Sequence, residues 1–312
     1  MLDISSHHSK HFSQSQHAAS QCLRLHYYVK VKALKRPQAA FFVTGSHIHA
    51  GYEGIYKQIA FDSLHNNHPE YKKHIDIITK HTTDSKSNTK LAAANAYLKE
   101  FERTSEVEFD NAIWPNPTKK FNPRINKDIW IPYAHKTTRA YVAHHCDGFF
   151  QPLCHDSIIW VENMIKVPFG NCQIWMKLDL VTANGFIVDH KTSSSKPNED
   201  ELRLGYQAHY YAWGFYHIFN RLPEGVIFDY TLLGMVPSFY TAPTIKITQI
   251  GIERIKEDVE SQLRLIDFCH ERTNTLKEKA WPRNRNCCVN YGHTCEYLDV
   301  CQPEEVPVTF GF

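Results

Sequence analysis

Two apolar runs, CQIWMKLDLV over residues 172–181 and FIVDHKT over 186–192, are separated only by Thr182 and Ala183-Asn184-Gly185. A short Gly-containing connection between two β-rich runs predicts an antiparallel hairpin. Its register decides what the chain can do. A two-residue Asn-Gly turn pairs Leu180 with Asp189 and sends Asp179 and Asp189 to opposite faces. A three-residue loop with Gly185 left-handed pairs Asp179 with Asp189 and Lys177 with Lys191. Strand side chains alternate with period two, so Asp189 and Lys191 share a face in either case. The three-residue loop gathers Asp179, Asp189 and Lys191 at one point, and it is the register we adopt.

Around the hairpin the pattern is mixed. Residues 17–36 read as a helix running into a basic stretch. A second helix is expected from about Gly45 to Leu64, where His49, Tyr52, Tyr56 and Ile59 recur at helical spacing. Residues 65–86 are polar, 88–101 an Ala/Leu-rich helix, and 105–140, with four prolines, mostly loop. From Ala140 short β-rich runs take over (AYVAHHCDGFF, then SIIWVENMIKV). The hairpin, one helix over EDELRLGYQAHYYAWGFYHIF, two more strands, and a long helix from Glu253 to Lys279 complete the order. Strands, helix, strands, helix predict an α+β fold with a mixed central sheet.

Two carboxylates and a lysine on one face suit a hard divalent cation. Mg²⁺ or Mn²⁺ prefers oxygen ligands, and Mg²⁺ binds through one or two carboxylates plus phosphate. A neighbouring lysine can orient or deprotonate a metal-activated water, or neutralise a phosphate. A solvated surface hairpin would show the same Asp-x-Lys, so the surrounding sequence must decide.

Reading outward from Asp189-His190-Lys191-Thr192, the sequence resembles the RecB-like branch of the PD-(D/E)XK nuclease superfamily. Its Gly-x-x-x-His helix, strand Asp, Asp-x-Lys strand and Gln-x-x-x-Tyr helix look like Gly45–His49, Asp179, Asp189–Lys191 and Gln207–Tyr211, in the family's order. The resemblance covers about residues 17–60, 155–240 and 281–301. It implies a restriction-endonuclease-like core, with His49, Asp179 and Asp189 as metal ligands and Lys191 working on the attacking water. Gln207 and Tyr211, one helical turn apart, would brace the site, and Glu162 on the preceding strand is a plausible further acidic ligand. Met176 departs from the pattern, since the family usually has glycine three residues before the Asp. The division read is 1–60 as an N-terminal helical region with Cys22 and His49, and 61–150, which the resemblance does not cover, as a helical or loop insertion of open role, a cap that restricts access to strand ends being one reading. The nuclease core spans 151–245, and the long helix with a Cys-rich tail 246–312.

The tail, WPRNRNCCVNYGHTCEYLDVC over residues 281–301, places Cys288, Cys295 and Cys301 as C-x6-C-x5-C, with Cys287 as a substitute for Cys288. In a reducing compartment clustered cysteines point to metal rather than disulfides. A fourth ligand must come from afar, and Cys22 is the candidate. This resembles the iron–sulfur staple of some RecB-like nucleases, among them CRISPR-associated adaptation nucleases, the AddAB nuclease subunit and phage exonucleases. There one N-terminal and three C-terminal cysteines hold a [4Fe-4S] cluster; zinc held by the same four thiolates is the alternative. The staple is expected to be structural and to hold the N-terminal helix, with His49, against the core. Cys146, Cys154, Cys172 and Cys269 read as buried small hydrophobes.

The formal charge of +2, from 35 basic and 33 acidic residues, restricts any nucleic-acid surface to local patches. Candidates are Lys30, Lys32, Lys35 and Arg36; Lys119, Lys120 and Arg124; and Arg283 with Arg285. Tyr27, Tyr28 and Trp281 nearby would stack bases of a single strand. No apolar run approaches the ~20 residues of a membrane span, and a cytoplasmic location is expected. The resemblance implies a metal-dependent DNA nuclease, expected to be an exonuclease acting on single strands or duplex ends in recombination, repair or phage DNA processing. The alternatives are a catalytically silent DNA-binding scaffold subunit and a zinc-stapled RNA-processing protein. A protein partner or a homo-oligomer is compatible with the sequence; the PEEVPVTFGF tail reads as an unstructured end, with docking of a partner as the alternative.

Overall fold

The computed structural model of the chain describes residues 11–13, 16, 20–64, 68–82, 89–115, 122–146, 148–290 and 293–302. Lys119, Lys120 and the PEEVPVTFGF tail lie outside the described residues. The principal strands are β1 (His11–Ser13), β2 (Val161–Phe169), β3 (Cys172–Val181), β4 (Phe186–Ser193), β5 (Gly225–Leu232) and β6 (Ser238–Thr241). The longer helices are α1 (Ala40–Ser63), α2 (Tyr71–His81), α3 (Lys90–Thr104), α4 (Lys127–His144), α5 (Tyr206–Phe219) and α6 (Gln249–Leu276). The chain forms two compact units. One comprises Met1–Arg36, Met164–Met176 and Thr248–Phe312; the other, larger, comprises Pro37–Asn163 and Lys177–Ile247.

In the larger unit the second half of β3 pairs antiparallel with β4, β4 pairs parallel with β5, and β5 antiparallel with β6, a mixed sheet. The parallel β4–β5 step needs a crossover, which the helix Glu199–Leu204 and α5 supply. Leu180 faces Val188 and Val181 faces Ile187, so the same register brings Asp179 opposite Asp189. Thr182 N–H donates to the Phe186 carbonyl, leaving the three-residue loop Ala183-Asn184-Gly185, with Gly185 at φ +84°. That left-handed backbone is open to glycine without a Cβ clash.

Helix α1 carries Ile48, Tyr52, Ile55, Tyr56 and Ile59, all at most 4 % exposed and spaced at three, four and seven residues. It approaches α3 through Gly54, where a Cβ would lie 2.7 Å from the Ala93 carbonyl oxygen. Ala93, Ala94 and Ala96 on α3 are fully buried, so small residues set this helix pair close.

In the smaller unit β1 runs parallel to the first half of β3. Trp281, fully buried, stacks on His26 and Tyr27 at 5.8 and 5.5 Å. Arg24 N–H and Nε donate to the carbonyls of Pro282 and Trp281, and Arg36 Nη2 lies 2.9 Å from both carboxylate oxygens of Asp299. Tyr297 O–H donates to the Leu34 carbonyl. These contacts join segment 20–36 to segment 277–302.

Several local expectations are corrected. Within 17–36 the described helical residues are Ser20 and Leu23–His26, interrupted at Gln21 and Cys22 and followed by a π turn, Tyr27–Val31. The polar stretch 65–86 contains α2, fixed by His74, whose ring nitrogens face Tyr97 Oη and Gln58 Oε1 at 3.2 Å. The region 105–140, read as loop, holds Glu106–Asn111 and α4, with Pro132 inside the latter. The expected strand from Ala140 is the end of α4: Tyr141 continues the buried face of Trp130, Ala134 and Thr137. The helix over 199–219 is two helices, divided at Gly205, whose ψ of 149° leaves the helical range. Cys172 and Cys269 are buried as expected, but Cys146 and Cys154 are exposed, in a turn after α4 and in a two-residue strand.

Candidate active site

All the expected catalytic and ion-binding side chains belong to the larger unit. The hairpin register aims Asp179 and Asp189 together, and the His190 backbone N–H donates to Asp179 Oδ2 at 2.9 Å. Asp189 is 2 % exposed; its Oδ1 accepts from Tyr211 O–H at 2.7 Å, and Lys191 Nζ lies 2.8 Å from its Oδ2. Gln207 Nε2 donates to Tyr211 Oη at 2.8 Å, as residues one turn apart on α5 can. Burial and the Asp189 charge push the Tyr211 phenol well above its ordinary range, so it stays a donor.

Helix α1 delivers His49. Its Nδ1 lies 3.4 Å from Asp179 Oδ2 and 3.8 Å from Glu162 Oε1, and these three residues form a group compact enough to hold a metal ion. Desolvation pushes His49 down to about 4, so at neutral pH it is an uncharged imidazole with a lone pair to offer. Burial, then the neighbouring Asp189 charge, raises Asp179 from 3.8 to about 6. Burial and Asp179 raise Glu162 from 4.5 to about 7. Two carboxyls driven up in this way face each other without enough compensating positive charge, which is the condition a divalent cation relieves. Glu162 adopts φ +57° inside β2, a conformation that costs on the order of 1–3 kcal/mol for a residue with a Cβ.

Further members complete the site beyond the expected ligands. Lys177, opposite Lys191 by register, lies 2.5 Å from Glu162 Oε2. Behind the site, His190 Nδ1 lies 3.3 Å from Asp229 Oδ2, both groups 2 % exposed. Asp229 also accepts from Tyr141 O–H at 2.9 Å and Thr241 O–H at 2.8 Å. Although burial pulls His190 down, the Asp229 carboxylate raises it overall. The acid in the otherwise apolar run GVIFDYTL was the available clue to this network.

A second group, His47, Glu102 and His135, is also compact enough for an ion. Its donors argue for hydrogen bonds instead. Trp130 Nε1–H donates to His47 Nδ1 at 3.1 Å, so the ring proton resides on Nε2, which faces Glu102 Oε1 at 3.0 Å. A nitrogen carrying that proton has no lone pair for a metal.

In the smaller unit, Cys22, Cys287, Cys288, Cys295 and Cys301 line one cavity. Among the described residues no three of these sulfurs lie within 4.8 Å of one another. Asn284 N–H points at Cys22 Sγ from 3.5 Å and Gln302 Nε2 at Cys288 Sγ from 3.8 Å. Burial raises the thiols of Cys287, Cys295 and Cys301. Tyr27, Tyr28 and Trp281, expected to stack bases, are at most 3 % exposed; they form the aromatic core of this unit and offer no face to a strand. Met176, 2 % exposed, is likewise internal.

Residues 11–302 match the family model of the PD-(D/E)XK nuclease superfamily. A solved structure from Eubacterium rectale, described as that of a candidate exonuclease, is 12% identical, with a TM-score of 0.46, covering 97% of this chain and 94% of its own. No curated protein matches the sequence.

Proposed function

The chain belongs to the PD-(D/E)XK nuclease superfamily, and from that membership we propose that it is a divalent-metal-dependent deoxyribonuclease that degrades DNA strands from their ends, in recombination, repair or phage DNA processing. A nuclease of this superfamily is a phosphodiester hydrolase with a nucleic-acid substrate; DNA, end-directed cleavage and Mg²⁺ or Mn²⁺ are our reading. The observation that carries it is the meeting of Asp179, Asp189 and Lys191 on one face of the hairpin, with His49 and Glu162 beside them.

Asp179, Asp189, Glu162 and His49 would hold the ion, which when bound polarises the phosphoryl oxygens and acidifies a water. Lys191 Nζ, held by Asp189, would orient the attacking water and balance negative charge building on the phosphoryl oxygens. Tyr211, itself held by Gln207, fixes the Asp189 carboxylate through Oδ1 and leaves Oδ2 toward Lys191. In the smaller unit the spread of the sulfurs favours a [4Fe-4S] cluster over zinc. Four thiolates around one zinc at ~2.3 Å lie about 3.8 Å apart, whereas no three of the described sulfurs lie within 4.8 Å of one another; a cubane holds its thiolates on separate irons. Cys22, Cys288, Cys295 and Cys301 are the proposed ligands, Cys288 being the one that receives an N–H from Gln302.

The test is degradation of end-labelled single- and double-stranded DNA by anaerobically purified protein with Mg²⁺ or Mn²⁺, against EDTA. Metal-dependent loss of the label as mononucleotides or short fragments supports the reading. Cleavage of RNA alone, or cleavage that EDTA leaves untouched, would falsify it.

The carboxyl shifts give a second expected result. Folded values of about 6 and 7 lie above the ordinary 3.8 and 4.5. Such groups add stability below their unfolded pKa and lose it as pH rises through 6–7. The metal-free protein is therefore penalised at pH 8, and an ion that pairs with both carboxylates removes the penalty. Mg²⁺ is expected to raise the melting temperature by more at pH 8 than at pH 5.5; an equal rise at both would remove these carboxyls from the ion site.

A further inference from the structure

Arg124 sits in a short 3₁₀ turn, Pro123–Ile125, in the larger unit. Its Nη2 donates to Thr192 Oγ1 at 2.9 Å, and its guanidinium lies 5.8 Å from the centre of the Trp130 ring. Thr192 directly follows Lys191 on β4. A Cβ on Gly45 of α1 would be 3.5 Å from the same Thr192 hydroxyl, and Gly45 is one helical turn before His49. By strand alternation Thr192 shares the His190 face of β4, the face α1 covers, so the arginine is linked to the cluster through α1, where Gly45 stands one turn before His49.

Its bonding is incomplete in a way unusual for a partly buried cation. Nε is buried and has no hydrogen-bond partner among the described residues. Burial lowers its pKa to about 10, and no described carboxylate acts against that. A guanidinium offers five N–H donors in a rigid fork, and here one side-chain acceptor is met. Trp130, fully buried and tied to His47, holds the ring on which that fork rests. A buried cation without a counter-ion costs stability, and such costs are retained where a ligand repays them.

We propose that Arg124 is the phosphate-binding residue of a subsite adjoining the catalytic cluster, and that its ligand is a phosphate of the nucleic-acid strand being cut. The proposal rests on the nuclease reading above and adds to it a specific residue that positions the strand. The planar fork matches two phosphate oxygens at once, which a lysine cannot do. A strand presents a phosphate at every nucleotide, so one held at Arg124 sets which neighbouring phosphodiester lies against the metal-binding carboxylates. Two sources share this chemistry: an internal phosphodiester and a terminal 5′-phosphate.

The experiment measures binding of fluorescein-labelled single-stranded oligonucleotides, one set with a 5′-phosphate and one with a 5′-hydroxyl, over a range of salt. The protein is the full chain carrying Lys191→Ala, alone and with Arg124→Gln or Arg124→Lys. Arg124→Gln is expected to weaken binding about tenfold, and to lower the slope of log K against log salt by about 0.7. Arg124→Lys is expected to restore the slope and only part of the affinity. The melting temperature should be unchanged or raised, since a charge without a counter-ion is removed. Equal loss on both oligonucleotides assigns an internal phosphodiester; loss confined to the phosphorylated set assigns the strand end. Unchanged affinity and slope, or a loss that tracks a melting temperature several degrees lower, overturns the subsite. So does a parent that binds neither oligonucleotide. Because binding is read in a chain whose cleavage is strongly slowed, failure of the subsite leaves wild-type cleavage intact. An inert wild type leaves the Arg124 comparison readable.

Discussion

Replacing Lys191 with alanine is expected to reduce the initial rate of DNA cleavage by about 10²–10⁴-fold, with DNA binding retained. The Lys191 side chain is 32% exposed and ion-paired with Asp189, so truncation removes a reactive group from a partly open position without emptying a fully buried one. Its loss leaves the acidic cluster with less positive charge. Mg²⁺ affinity in the variant should therefore be equal or higher, and the defect should lie in the chemical step. Rates measured at saturating Mg²⁺ and DNA, beside a melting curve, decide this. Cleavage at the wild-type rate would exclude Lys191 from the chemistry. If wild type and variant are equally inert while both bind DNA, the chain acts as a binding scaffold.

The hairpin was legible because two constraints met on it. Only the three-residue loop lets Gly185 take φ +84° and also brings two acids to one face. Strand alternation then places Lys191 with them, and no tertiary information is required. His49 was legible only as part of a spaced motif; nothing in a helix sequence says that an imidazole will lie 3.4 Å from an acid on a distant strand. The His190–Asp229 pairing was not legible beyond the lone acid in GVIFDYTL, since it depends on the parallel neighbour of β4, a long-range pairing set by the crossover.

Residues 105–140 were misread for a local reason. Pro132 removes a backbone donor and counts against a helix, yet Trp130, Tyr133, Ala134, Thr137 and Tyr141 follow the 3.6-residue period straight through it. Burial of that face outweighs the lost hydrogen bond, and Asn126 caps the first turn by accepting from the Ile129 N–H. Tyr27, Tyr28 and Trp281 were misread for the opposite reason. Aromatic rings among basic residues have the composition of a single-strand platform, but composition does not say which way a ring faces. Here the rings are the core that a small unit needs, and the lysines around them are solvated.

That small core makes the cysteine cradle the site of the second large effect. The smaller unit joins segments from both ends of the sequence through a few rings, two arginines and five cavity-lining thiols. Bringing Cys22 beside Cys288, Cys295 and Cys301 closes a loop of most of the chain, an entropic cost that metal–thiolate bonds can offset. Structural metal sites supply on the order of 10 kcal/mol of apparent folding free energy at neutral pH. On the proposed cluster ligation, Cys295→Ser is therefore expected to abolish the visible absorbance and the iron that a [4Fe-4S] cluster would bring. It should also lower the melting temperature and expose segments 20–36 and 277–302 to protease. Metal analysis of the wild type separates the two chemistries: about four irons with sulfide per chain for a cubane, against one zinc. Cys287→Ser serves as the control, since its sulfur lines the same cavity but is not assigned as a ligand, and it should keep both metal and stability. If Cys295→Ser keeps its metal and Cys287→Ser loses it, the ligand assignment is wrong. If neither substitution changes metal content or melting temperature, the thiols hold no cofactor, and the aromatic contacts around Trp281 alone join the two ends.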